Sequence, residues 1–192
     1  MKEEKLTETV YNRPGKILTD SGVLLLVGEF NNENILPIIA RIMEFNLMPE
    51  GVRPEFITLI INSPGGSVSS MFQLVDVMKS SKIPVHTVGQ GFVASCGIMT
   101  LMAGEPGHRS ATHNTTIMSH SWSSGTQGTS YDLEASVKHH DFLTEKMINH
   151  YKKCTGKSES YIRKHLVLPT DMYLRPEEAL QHGIIDEVKE TY

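Results

Sequence analysis

"FITLIINSPGGSVSSMFQLVDVMKSS", residues 56–81, changes character at its middle. Its first eight residues form an apolar run on both faces, the pattern of a strand inside a sheet covered on both sides. "SPGGS" (63–67) breaks that run sharply, and Phe72, Val75 and Met78 then recur at helical spacing. Strand, glycine turn and helix follow one another here within 26 residues.

The same alternation extends outward. "GVLLLVGEF" (22–30), bounded by glycines, reads as a buried strand. In "NNENILPIIARIMEFN" (31–46), Ile35, Ile38, Ile39 and Ile42 recur at helical spacing behind an asparagine-rich cap. Pro37 is tolerated only in a first turn, which predicts a helix start near Glu33 or Asn34. Downstream come a strand in "IPVHTVGQG" (83–91), a helix in "ASCGIMTLMAGE" (94–105) and a strand in "TTIMSHS" (115–121). Such alternation argues for an α/β fold with a largely parallel sheet. "WSSGTQGTS" (122–130) reads as a flexible Gly/Ser/Thr stretch. The longest helical segment follows, 131–154, with Leu143, Met147 and Tyr151 at i, i+4, i+8 and Gly156 as its cap. Two short helices (158–166 and 176–182) and a strand in "IIDEV" (184–188) end the chain. No repeat or linker interrupts it, and 192 residues suit a single domain spanning 1–192.

Composition narrows the function classes. With 39% hydrophobic and 21% charged residues the chain is ordinary globular protein, not a disordered one. The net charge is −4 with no basic block, which argues against a nucleic-acid partner. The two cysteines, Cys96 and Cys154, form no CxxC or Cys/His cluster, so neither a zinc site nor a disulfide framework is expected. The polar N-terminus has no signal-peptide core, and no apolar run reaches the roughly 18 residues of a membrane span. The expectation is a soluble, cytoplasmic protein in a reducing compartment.

Four places could carry chemistry. Ser95, in "GQGFVASCGI" (89–98), follows a strand and opens a helix among small residues. The unpaired N–H groups of a helix start suit an oxyanion, although a lone serine there is more often a plain N-cap. The flanking spacing is not G-x-S-x-G, which argues against an α/β-hydrolase. "NSPGGS" (62–67) is either an ordinary turn or half of an oxyanion hole, with one N–H from Gly66 and the other from Cys96. No Gly-Lys-Ser/Thr follows, so it is no phosphate loop. His120 ends the strand "TTIMSHS" at the carboxyl edge of the sheet, where α/β sites cluster. Eight other histidines compete with it. Asp171, in "LPTDMYLRPEEA" (168–179), is a turn aspartate or the orienter of a histidine. Cys96 is a rival nucleophile by type, but its position matches an oxyanion donor.

Taken together, "INSPGGSV", "GFVASCGIMTLMAGEPGHR", "IMSHS" and "TDMYLRPEEALQHGIID" resemble, in order and spacing, the ClpP family of ATP-dependent serine peptidases over about residues 20–190. The resemblance implies a crotonase-like α/β fold, a repeated β-β-α superhelix with a long handle helix. It implies Ser95 as nucleophile, His120 as general base, Asp171 as its orienter, and Gly66 and Cys96 as the oxyanion donors. It also implies two stacked heptameric rings joined through the 131–154 helix and enclosing a chamber in which unfolded polypeptides are cut. The partner would be a hexameric AAA+ unfoldase that consumes the ATP, since this chain has no cofactor of its own. Residues 1–19 would form a flexible axial segment.

The chain departs from that family in several places. Cys96 stands where the family has methionine, "SHSW" where it has His-Gln-Pro, and the N-terminus lacks the Val-Pro signature. Thr58 and Ile60 occupy positions where the family's unfoldase-docking pocket is commonly aromatic. Alternatives within reach of the sequence are a viral capsid-maturation protease on the same fold, a non-catalytic ring subunit, and a crotonase-fold enzyme acting on acyl-coenzyme A.

Overall fold

β2 (Ile57–Ser63) lies inside the sheet, as its two-faced apolar run predicts, between β1 (Val23–Val27) and β3 (Val85–Ala94). All three run parallel. The computed structural model describes residues 16–121, 125 and 127–190. Its sheet has seven strands in the order β1-β2-β3-β4-β7, with β4 at Arg109–Thr112 and β7 at Glu187–Lys189. β3 is long enough to serve two neighbours. Its first half pairs with β4, and its last three residues pair in parallel with β5 (Thr116–Ser119). β6 (Met172–Leu174) adds to β5 antiparallel. The sheet therefore forks, and the fork lies beside Ser95.

Short α1 (Lys16–Asp20) precedes β1, and α2 (Asn32–Leu47), α3 (Val68–Ser80) and α4 (Cys96–Leu101) follow β1, β2 and β3. The core forms where Leu24, Leu26, Leu59 and Ile61 meet Ile35, Ile42, Met71 and Leu74, all buried. α5 (Ser130–Thr155) starts at a Thr129–Asp132 capping box and stops at Gly156, whose φ of 71° suits glycine. α6 (Glu159–His165) and α7 (Pro176–His182) complete the chain. No helix among the described residues is long and apolar enough to cross a membrane.

Several expectations need correction. β1 is an edge strand buried on one face only, leaving Leu25 and Val27 exposed. α2 starts at Asn32, capped by Asn31, so Pro37 falls in its second turn. The proline's missing bond would have gone to the carbonyl of exposed Glu33, which solvent can satisfy. The buried stripe of α3 is Met71, Leu74, Val75 and Met78, and Phe72 sits at its border. β4 and β6 are additions: at four and three residues they are too short for a period to declare itself. Of the 1–19 segment, residues 1–15 lie outside the described residues, and Lys16–Asp20 is a short helix. Residues 122–124 and 126 of the stretch 122–130 likewise lie outside them.

Candidate active site

The end of β3 and the start of α4 leave one residue between them, Ser95. Its backbone is at φ 54° and ψ −116°, and it is the one non-glycine residue with positive φ among the described residues. Such a conformation costs about 1–3 kcal/mol and persists only where the surroundings enforce it. Here the Ser95 N–H donates to the Met118 carbonyl at 3.0 Å, and its own carbonyl accepts from the Met99 N–H at 3.3 Å. Ser95 occupies the N-cap position of α4, yet its side chain makes no cap bond. Oγ instead lies 2.9 Å from His120 Nε2. The simple N-cap role is thereby set aside.

Strand register delivers the histidine. Ala94 pairs with Met118 across β3 and β5, so the chain just beyond β5 runs beside Ser95. β6 pairs with β5 in the register Ser119↔Met172, which sets position 171 opposite position 120. His120 Nδ1 and Asp171 Oδ1 are 3.4 Å apart, with side chains 23% and 52% exposed. Free-enzyme contacts of this kind are often longer than those made with substrate bound. A buried polar knot holds the two segments together. Ser119 Oγ donates to the Leu166 carbonyl at 2.5 Å and is bonded to Tyr151 OH at 2.8 Å. The Ser121 N–H donates to the Leu168 carbonyl at 2.8 Å.

The glycine turn closes the other side. Gly65 and Gly66 have φ of 104° and 140°. A Cβ on Gly65 would sit 2.6 Å from Ser95 Cβ, and one on Gly66 would sit 2.6 Å from the Phe30 carbonyl oxygen. Phe30 grips the turn from both sides: its N–H donates to Gly65 at 2.7 Å, and its carbonyl accepts from Ser67 at 2.8 Å. Ser63 Oγ accepts from the Gly65 N–H at 3.1 Å. Neither the Gly66 nor the Cys96 N–H donates to an oxygen acceptor among the described residues. Two free donors thus flank the serine, an arrangement suited to an oxyanion.

Cys96 is 2% exposed, and its Sγ donates to the Gly66 carbonyl at 3.3 Å. Burial pushes its thiol up to about 11. A thiol held protonated is a poor nucleophile at neutral pH. No group of three or more His, Cys, Asp or Glu side chains among the described residues could hold a metal ion.

The structure therefore brings together all five residues singled out from the sequence. Sequence reasoning missed the supports: Phe30, Ser63, Ser119, Tyr151 and the strand β6. Ser119 had a faint signal in its place next to His120. Phe30 had none, because its role comes from backbone groups every residue carries.

The chain matches the family model for Clp protease over residues 5–192. It is 36% identical over 143 residues to the ATP-dependent Clp protease proteolytic subunit of Deinococcus radiodurans, a match covering 74% of this chain and 69% of that protein.

Proposed function

Because the chain belongs to the Clp protease family, with its crotonase-like α/β fold and serine-type endopeptidase activity, we propose that Ser95, His120 and Asp171 are its catalytic triad. Ser95 Oγ attacks a peptide carbonyl carbon while His120 Nε2 takes its proton. The resulting oxyanion is held by the Gly66 and Cys96 N–H groups. The C–N bond breaks as His120 returns the proton to the leaving amine. Water, deprotonated by the same nitrogen, then releases the acyl group from Ser95. Asp171 holds the imidazole by Nδ1 and stabilises its cationic form. The observation that carries this reading is the 2.9 Å approach of His120 Nε2 to an uncapping serine at a strained turn.

The substrate in this reading is an extended, unfolded polypeptide, cut within a chamber of two stacked heptameric rings. Support comes from α5, where no residue between 130 and 146 is buried in one copy of the chain. Tyr131, Val137 and Phe142 on that stretch are 81%, 61% and 53% exposed. Helices in proteins draw most of their stability from packing one face against other structure, so a partner's surface is expected to cover it. The unfoldase partner would be an AAA+ hexamer supplying ATP hydrolysis. At the positions of its docking pocket, Thr58 is half-buried, and Phe56 stacks on His86 at 4.5 Å. Without aromatic anchors at Thr58 and Ile60, coupling to a common bacterial unfoldase is expected to be weak while short peptides are cut unaided.

The decisive test combines Ser95→Ala with a fluorophosphonate probe and a fluorogenic peptide. The wild type is expected to be labelled at Ser95 and to hydrolyse the peptide. Ser95→Ala is expected to lose both by several powers of ten. Wild-type turnover in Ser95→Ala would overturn the assignment.

A further inference from the structure

The proposed oxyanion hole is made from two pieces of chain that are distant in sequence, the β2–α3 turn and the first residue of α4. A rigid hole needs those pieces fixed to each other, because donors work only when held at the place where the charge develops. Phe30 fixes the β2–α3 turn, but from the side of the β1–α2 connection. The tie to α4 comes from Cys96. Its S–H donates to the carbonyl of Gly66, so the residue carrying one free N–H bonds directly to the residue carrying the other.

Building on the oxyanion-hole reading, we propose that Cys96 is a positioning residue whose thiol, by donating to the Gly66 carbonyl, sets the spacing of the two oxyanion N–H groups. Gly66 is the place where such a tie matters. At φ 140° it has no side chain to limit its rotation; Phe30 holds the peptide groups on both sides of it to the β1–α2 connection, through the Gly65 carbonyl and the Ser67 N–H, and the thiol bond to its own carbonyl adds a brace to α4. The thiol is suited to the task because it is 2% exposed and stays protonated at working pH. It never touches the reacting atoms. Its effect passes through the Gly66 backbone.

In this chain the tie depends on the hydrogen the side chain donates, which separates three variants. Cys96→Ala keeps the backbone donor and the small volume but removes the tie. Its kcat is expected to fall about tenfold with KM nearly unchanged, less than the hundredfold or more lost with a whole oxyanion donor. The affinity of a peptide aldehyde, which forms a tetrahedral adduct, should fall by the same factor. Cys96→Ser restores a donor and should recover most of both losses. Cys96→Val fills the space without a donor and should resemble alanine. Ser95→Ala serves as the control on the underlying reading: if it stays active, the triad and the hole fail together. If Ser95→Ala is inactive while Cys96→Ala keeps wild-type kcat and aldehyde affinity, the triad stands and the tie is refuted. The tie is also refuted if Cys96→Ser is as impaired as Cys96→Ala, or if the losses follow a fall in thermal midpoint instead of the presence of a donor.

Discussion

A methyl group added to Gly65 would meet Ser95 Cβ at 2.6 Å, in a backbone conformation of φ 104° that side chains avoid. Gly65→Ala is therefore expected to push Ser95, the proposed nucleophile, off its place. Misplacement of reacting groups by about 1 Å costs on the order of a hundredfold in rate, and peptide hydrolysis should fall by about that factor. Ser95 itself predicts an inversion. At an ordinary helix start glycine is no more stabilising than a capping serine, but at φ 54° glycine escapes a strain of about 1–3 kcal/mol. Ser95→Gly should thus be inactive yet more stable to urea than Ser95→Ala by about 1 kcal/mol. A Gly variant less stable than the Ala variant would show that the turn carries no strain.

Among the elements, three-residue β6 positions the histidine's partner. Its register with β5 is what sets Asp171 opposite His120. Asp171→Asn keeps that pairing and removes the charge. Turnover is expected to fall by up to about 10⁴-fold, as for the equivalent change in a serine protease, with the denaturation midpoint unmoved. Arg109, on β4, ties another set of elements together. It makes a two-bond pair with Asp186 before β7, at 2.8 and 2.5 Å, and donates to the Cys154 carbonyl on α5 at 2.7 Å. Asp186→Ala would leave a buried cation without its anion, a loss of about 3–5 kcal/mol of stability, measurable by chemical denaturation. These two elements also mark where the sequence stops being legible. β2, α2, α3 and α5 declare themselves because each spans enough residues for a period to appear. β4 and β6 are too short to do so, and they are held by registers set elsewhere in the sheet. The five candidate residues drew notice through local turn chemistry and strand ends, but each signal was ambiguous alone, and their roles came from the family resemblance of the motifs taken together. The contacts through Phe30 and Tyr151 were not, because nothing local distinguishes them.

The whole molecule is expected to be most stable between about pH 7 and 9. On the alkaline side, burial pushes Cys96 from 9.0 to about 11 and Tyr151 from 10.0 to about 12. An acid whose folded value is raised contributes stability that is full below its unfolded value and is lost as pH rises through the folded one. Decline should therefore begin near 9 and continue toward 12, and Tyr151→Phe should flatten its upper part. On the acid side, burial holds His150 below 6.5 against the opposing bond to the Met99 carbonyl at 2.8 Å. The unfolded chain then takes up protons first, and stability falls as pH drops below that value. Urea midpoints near pH 5, 8 and 11 would check both limbs; a flat profile would contradict them. At the scale of assembly, the exposed apolar residues on α5 predict that Val137→Asp shifts the protein to smaller species in sedimentation velocity, with the peptide-cleaving fold intact.

The order of strands along the chain has a consequence for biosynthesis. Ser95 and His120 lie on segments made before residue 121, whereas Asp171 is fixed only when residues 172–174 reach β5. A chain still being synthesised, folding its N-terminal part first, thus holds the proposed nucleophile and base without the carboxylate that orients them. Under the proposed triad, copies that have not yet added β6 are expected to be latent, and proteolytic competence to arrive with that strand.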